Sequence, residues 1–399
     1  MKQQKIRQFR RIVFLLDVLK FALTAFGGPQ VHFTQIHKRF VLKKKYMSED
    51  ELKDLHSLCN ILPGPTSTQI ITAIAYKIDG AFLAFLTLFV WILPASILMT
   101  IFAIVVHQFA LDNPKLEFLR FIQPMAVGFI VFAAYKTTQL FVTRTYHWFL
   151  LLLATIAGIL AQTPLIFPVL LLIGGFISSQ VNKSKLEKVA RLKNINWSNF
   201  ILFVGIFLIA AALGNLFDSK PILLFENTYR YGSIVFGGGH VLIPMMYNQF
   251  VEFKHYLGAN EFLAGVGILQ AIPGPVFSIS TYISALAMAD WGIHGQLLGA
   301  IIGTVAIFLP GIFLIFFIYP IWNQLKNYSP VKNAIEGINA TSAGLVIASA
   351  YLLFQPVVID LENIELNMLV LLATVFLLLT THVPNPIIVL LCIGLGLFI

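Results

Sequence analysis

The chain has 399 residues, 58% of them hydrophobic and 11% charged, with a mean hydropathy of +0.84. A soluble domain carries about 25% charge, so this composition excludes an ordinary soluble enzyme and, with apolar stretches recurring from Ile12 to Ile399, predicts an all-α polytopic membrane protein. The net charge of +9 is uneven: residues 1–199 hold 22 basic and 9 acidic side chains, residues 200–399 hold 5 and 9, and the basic ones sit in short loops as cytoplasmic retention requires, not on a nucleic-acid face.

The first apolar segment, residues 12–37, lies between two basic clusters, Lys2 to Arg11 and Lys38 to Lys45. Both clusters are expected in the cytoplasm, so the segment must enter and return. Gly27-Gly28-Pro29 breaks it midway. A helix of about 15 residues covers only ~22 Å of a ~30 Å hydrocarbon core, which predicts a re-entrant hairpin. Residues 55–76, broken by Pro63-Gly64-Pro65, repeat that design. Full spans are predicted near 80–107, 119–142, 147–161 and 165–181. A basic linker follows, with Lys183, Lys185, Lys188, Arg191 and Lys193, and then one apolar segment, 200–217.

The second half repeats the first. Phe26-Gly27-Gly28 returns as Phe236-Gly237-Gly238, and Pro63-Gly64-Pro65 as Pro273-Gly274-Pro275, both 210 residues on. Lys20 aligns with Arg230 and Glu51 with Glu261 at the same offset; Leu93-Pro94 meets Leu309-Pro310 at 216. These spacings predict a first repeat over 1–181, a linker and connecting helix over 182–227, and a second repeat over 228–399. One connecting crossing inverts the second repeat. The three lysines of 40–45 against the single one of 250–255 agree, as does the acidic 360–365 loop on the outside. The expected count is nine spans and four hairpins, in the plasma membrane, with a cytoplasmic N-terminus.

Broken helices in inverted repeats are the design of secondary transporters, whose half-helix N-termini point at anionic groups near the midplane. Irregular backbone at that depth survives only inside protein or beside a wet cavity. The candidate anion cradle therefore comprises Gly27, Gly28, Gly237 and Gly238 at one pair of breaks. The other pair supplies Gly64, Thr66, Ser67, Thr68 and Gln69, with Gly274, Ser278, Ser280 and Thr281. The alternative is a kink capped by its own hydroxyls. Lys20 and Arg230 each lie six residues before a Phe-Gly-Gly inside an apolar run, where a cation is retained for a substrate or partner unless it snorkels or pairs with Asp17 or Glu226. Lys136 aligns with Leu352 and has no mate.

Proton coupling needs a group that titrates near neutrality. His32 and His240 flank the glycine breaks; Glu51 and Glu261 precede the proline breaks, Glu51 within a Ser48-to-Glu51 capping box. Gly295, Gly299 and Gly303 permit close helix packing, either internally or in a homodimer. Cys59 and Cys392 stand too far apart in sequence for a CxxC pair, and no metal, nucleotide or hydrolase motif is present, so no cofactor is expected.

Phe26-Gly27-Gly28-Pro29-Gln30, Asn60 to Pro65 with Gln69, Phe236 to His240, and Gln270 to Pro275 resemble the signatures of the chromate ion transporter (CHR) family, long two-domain type. The resemblance covers nearly the whole chain. It implies carriage of chromate, with sulfate as a related oxyanion, commonly as efflux driven by the proton motive force. Competing readings are a carrier of another anion, a channel, or a membrane enzyme acting on lipid phosphates.

Overall fold

The computed structural model describes residues 2–112, 120–161, 166–181, 195–236, 239–322, 329–359, 364–381 and 383–398. The basic linker predicted over 182–194 lies outside these residues. Among them the chain is helical and contains no strand. The first half runs α1 (Lys2–Ala22), α2 (Gly28–Ile36), a π-helical turn (His37–Lys43), α3 (Glu49–Ile61), α4 (Thr66–Asp112), α5 (Ile122–Phe141), α6 (Thr145–Leu160) and α7 (Ile166–Val181). A lone helix, α8 (Ser198–Phe217), follows. The second half runs α9 (Lys220–Ile234), α10 (Gly239–Tyr247), a second π-helical turn (Asn248–Phe253), α11 (Ala259–Leu269), a short 3-10 turn (Val276–Ser278), α12 (Ile279–Ala287), α13 (Gly292–Ile318), α14 (Ser329–Ile359), α15 (Ile364–Thr380) and α16 (Asn385–Phe398).

The halves match in local geometry as well as in order. Lys45 and His255, 210 apart, both take a left-handed backbone, with φ of 52° and 51°. The Tyr46 amide donates to the Phe40 carbonyl at 2.8 Å, and Tyr256 to Phe250 at the same distance. Gly80 interrupts α4 at φ 73°, ψ −167°; Gly292 opens α13 at φ 68°, ψ −162°. That region of backbone space is open essentially to glycine alone.

Among the described residues, three helical runs, Thr66–Gln108, Ala289–Ile321 and Asn333–Gln355, are long and apolar enough to cross a bilayer. α6, α7, α15 and α16 are apolar but 14–17 residues long, or roughly 21–26 Å. Their outer faces are bare: Leu152, Ile156, Leu160, Leu172, Phe176, Phe376 and Leu390 are all exposed. A continuous apolar exterior of this kind belongs in lipid, and the chain is a multi-pass membrane protein.

The halves interlock. α6 and α7 pack on α14, α15 packs on α5, and α4 packs on both α12 and α13. The glycine ridge of α13 is spent inside the molecule. A Cβ on Gly299 would sit 2.1 Å from the Ser284 carbonyl of α12, and one on Gly303 2.3 Å from the Ser284 hydroxyl.

Candidate functional site

The two proline breaks are tied to the opposite halves. The Gly64 amide donates to the Val235 carbonyl at 2.8 Å, and the Gly274 amide donates to the Ala25 carbonyl at 2.8 Å. Ala25 and Val235 are themselves mates, each preceding its Phe-Gly-Gly. Contacts exchanged in this reciprocal way define a pseudo-two-fold axis through the breaks. Gly64 and Gly274 have φ of 112° and 121°, which side-chain-bearing residues rarely adopt. A Cβ would meet the Gly311 Cα at 3.3 Å in the first case and the Ala95 Cβ at 2.8 Å in the second. Ala95 and Gly311 follow Pro94 and Pro310, the prolines inside α4 and α13. Each break is thus wedged against the kinked long helix of the other half.

Helix starts gather here. α2 opens at Gly28, after Gly27, with both glycines at positive φ (79° and 95°). α4 opens at Thr66 directly after Pro65, and the 3-10 turn leading into α12 opens at Val276 after Pro275. Val276 is the common neighbour. A Cβ on Gly28 would lie 4.0 Å from it, and one on Gly239, at the start of α10, 2.2 Å. The first N–H groups of each helix lack intrahelical acceptors, and their dipoles favour negative charge. Packing does not seal the place, because Gly27 is exposed and Thr66 and Val276 are only half-buried.

The hydroxyls divide by what they already bind. Thr68 accepts from the Trp91 indole at 3.0 Å, Ser280 donates to the Gly303 carbonyl at 3.1 Å, and Thr281 shares a 2.8 Å bond with Thr304. The Ser278 hydroxyl is buried without a partner, so it keeps a free donor. The Gln69 amide donates to the Pro63 carbonyl at 2.8 Å and props the first break from beneath.

His32 is fully buried beside this assembly. Its Nε2 lies 3.2 Å from the Ala25 carbonyl and its Nδ1 3.1 Å from the Ser67 hydroxyl. A carbonyl only accepts, so Nε2 carries the proton and Nδ1 receives the Ser67 hydroxyl in the neutral ring. The same Ala25 oxygen accepts from Gly274. One imidazole therefore touches both the α4 start and the acceptor that holds the other half's break. The aligned residue in the second half is Leu242, and Ser67 aligns with Phe277; this polar contact exists on one side only. Gly237, Gly238 and the His240 side chain lie outside the described residues.

Lys20 is exposed in the last turn of α1, where a cation complements the helix C-terminus. Arg230 is half-buried; it donates to the Asn227 side chain at 2.5 Å and lies 3.8 Å from Glu226. Asn227 also accepts from Gln249 at 2.9 Å, and Gln249 accepts from the Tyr231 hydroxyl at 2.9 Å. This buried chain replaces the charged seam of the first half, where Asp17 accepts from Tyr46 at 2.7 Å and pairs with Lys44 at 2.9 Å. Asp17 and Asn227 are mates at the 210-residue offset, an alignment readable from the sequence. Lys136 is exposed, its ammonium over the Phe132 and Tyr135 rings.

Glu51 and Glu261 cap α3 and α11. The Glu51 carboxylate accepts from the Ser48 amide at 2.8 Å, the Ser48 hydroxyl accepts from the Glu51 amide at 3.2 Å, and Glu261 accepts from the Gly258 amide at 2.8 Å. Lys77, and after it the Ser48 amide, hold the Glu51 carboxyl below the ordinary carboxylate range. A depressed carboxylate stabilises the fold above its unfolded pKa, and that stabilisation is lost as pH falls through its folded pKa. Glu51→Gln keeps the capping bond but loses the Lys77 ion pair, and since both side chains are solvent-exposed it is expected to lower the unfolding free energy by only about 0.5 kcal/mol at neutral pH. The gap to wild type should close on acidification, as thermal unfolding across pH would measure. Transport in that variant should keep its pH dependence.

The chromate transporter family model matches residues 12–179 and 222–397. An uncharacterized transporter of Methanocaldococcus jannaschii is 25% identical over 87% of this chain and 85% of its own length. A chromate transport protein of Pseudomonas aeruginosa is 22% identical over 95% and 89% respectively, and one of Cupriavidus metallidurans 20% identical over 93% and 88%. No solved structure matches the chain.

Proposed function

Because this chain belongs to the chromate transporter family, a family of membrane carriers and not of enzymes, we propose that it carries chromate or a closely similar tetrahedral oxyanion through the gathered helix starts. The observation that carries the proposal is the reciprocal pair of bonds, Gly64 to Val235 and Gly274 to Ala25. It supports two broken loops meeting on a pseudo-two-fold axis, with several helix N-termini facing one region. A tetrahedral dianion has four acceptor oxygens and is satisfied by N–H and O–H donors converging from different directions.

In this proposal the axis lies in the membrane plane, so the halves are inverted and the breaks sit near mid-bilayer. The binding groups are the free first-turn N–H groups of α2, α4, α10 and the 3-10 turn before α12, which follow Gly27, Pro65 and Pro275 at three of the breaks, with Thr66 and the unpartnered Ser278 hydroxyl. Ser67, Thr68, Gln69, Ser280 and Thr281 hold those amides in place. Lys20 and Arg230 set the field at the two mouths and do not touch the ion. The halves rock to give alternating access, and His32 carries the counter-proton of an efflux cycle driven by the proton gradient. Glu51 and Glu261, being helix caps, take no part in proton movement.

Counterflow in proteoliposomes tests the substrate. Labelled chromate should accumulate against preloaded chromate with saturation, and sulfate should compete. Unsaturable, conductive flux would instead mark a channel, and flux of a different anion with chromate inert would reject the substrate assignment.

A further inference from the structure

The corner where α1 passes the α4 interruption has no part in the carrier site. Arg7 and Arg11 both bond to Asp79, the residue before Gly80. Arg10 stands beside them, and the three arginines with Ile6, Ile78 and Asp79 line a cavity of about 290 Å³. The Asp79 carboxylate is nearly buried, while the Arg7 side chain is 64% exposed.

The second half provides an internal comparison. Lys220, the mate of Arg10, bonds to Asp290 at 2.8 Å, two residues before Gly292. There one cation meets one carboxylate, which suffices to fasten the first helix of a half to its interrupted one. The first half gathers three guanidiniums around one carboxylate, two of them bonded to it and Arg10 only lining the cavity with them, a net surplus of two positive charges. Fastening explains one of the three arginines and not the surplus.

The rim indicates what meets that surplus. Ile6 in the lining, Phe9 on the same helix and Phe82 are all more than 60% exposed, and the Arg11 guanidinium lies 5.5 Å over the Phe82 ring. Guanidiniums at the foot of a bare apolar wall suit an amphiphile with an anionic head. They recognise phosphate oxygens through paired N–H donors, and a juxtamembrane basic cluster attracts anionic lipid. We propose that this corner is a binding site for the phosphate of an anionic phospholipid headgroup, with Asp79 occupying part of the oxyanion position when lipid is absent and the acyl chains lying along Ile6, Phe9 and Phe82. A free tetrahedral oxyanion shares the headgroup chemistry but gains nothing from the apolar rim.

The test uses the purified full chain in neutral detergent, titrated with phosphatidylglycerol, with phosphatidylcholine of the same acyl chains, and with inorganic phosphate. Bound lipid is counted by native mass spectrometry. Phosphatidylglycerol should bind at least tenfold more tightly than phosphatidylcholine. Arg10→Gln, which leaves both bonds to Asp79 intact, should weaken phosphatidylglycerol at least about fivefold, the scale of one lost charge-assisted hydrogen bond. Asp79→Asn, if it folds, should tighten binding by removing the internal competitor. Lys220→Gln should leave it unchanged. Equal binding of the two lipids, wild-type affinity in Arg10→Gln, or an equal loss in Lys220→Gln would overturn the proposal. Displacement of the lipid by millimolar phosphate would overturn the lipid assignment in favour of a soluble oxyanion.

Discussion

Replacing Gly274 with alanine is expected to reduce chromate transport at least about thirtyfold, and Gly64→Ala to do nearly as much. Three costs add at Gly274. Its φ of 121° is unfavourable for a residue with a Cβ, worth about 1–3 kcal/mol. The new methyl would lie 2.8 Å from the Ala95 Cβ, and overpacking of that kind costs typically 1–3 kcal/mol. Any shift that relieves the clash pulls the amide away from the Ala25 carbonyl, whose bond contributes about 0.5–1.5 kcal/mol. Even the low end of the sum exceeds 2 kcal/mol, a factor of roughly 30 or more in the population of the competent geometry. At Gly64 the nearest atoms are the Gln69 Nε2 at 3.2 Å and the Gly311 Cα at 3.3 Å, which gives slightly more room. Gly205, on the outer helix α8 with open space at its Cβ position, is the control and should tolerate alanine. Initial rates in proteoliposomes, normalised to folded protein by size-exclusion chromatography, measure all three. Near-normal rates in the Gly64 and Gly274 variants would detach the breaks from transport.

The second large effect is expected at His32. In His32→Leu, which installs the residue of the aligned position Leu242, and in His32→Gln, which keeps a polar side chain, gradient-driven transport should fall at least tenfold. Chromate counterflow, which needs no net proton movement, should stay within about threefold of wild type in His32→Gln. The separation follows from placement. The imidazole bridges the Ser67 hydroxyl and the Ala25 carbonyl, so a second proton on the ring turns the Ser67 contact from acceptor to donor at the start of α4. The leucine variant also leaves the buried Ser67 hydroxyl unpaired, at about 1–3 kcal/mol, and should be the less stable of the two. Retained pH-driven transport in both variants would remove His32 from the proton path.

Much of this architecture was legible because proline and glycine punctuate an apolar chain so strongly. The breaks at Gly27-Gly28 and Pro63-Gly64-Pro65, the helices found near 80–107 and 119–142, and the capping role of Glu51 each rest on local chemistry that tertiary packing did not override. The 210-residue offset also paired Gly64 with Gly274 correctly as mates. What it could not give was the cross-connection, in which Gly64 bonds to Val235 and Gly274 to Ala25. A periodicity says which residues are equivalent, not which half each one touches. The placement of Lys20 was not legible for a related reason: an apolar run of neighbours does not fix which face of α1 a long side chain takes, and this one is exposed. The amide chain of Asn227, Gln249 and Tyr231 was hidden because its members are 4 to 22 residues apart and each alone is unremarkable in composition.

The reciprocal bonds require a two-fold relation between the halves, and its direction decides the account. An axis in the membrane plane puts mated loops on opposite faces, and an axis along the normal puts them on the same face. Lys44 and Lys254 are such a pair, each ending a π-helical turn in the same backbone conformation. With the buried Cys59 and Cys392 replaced by serine, single cysteines at positions 44 and 254 can be probed with a membrane-impermeant maleimide on sealed right-side-out and inside-out vesicles. The account predicts that position 44 labels only from the cytoplasmic side and position 254 only from the opposite side. Labelling of both from one side would contradict it.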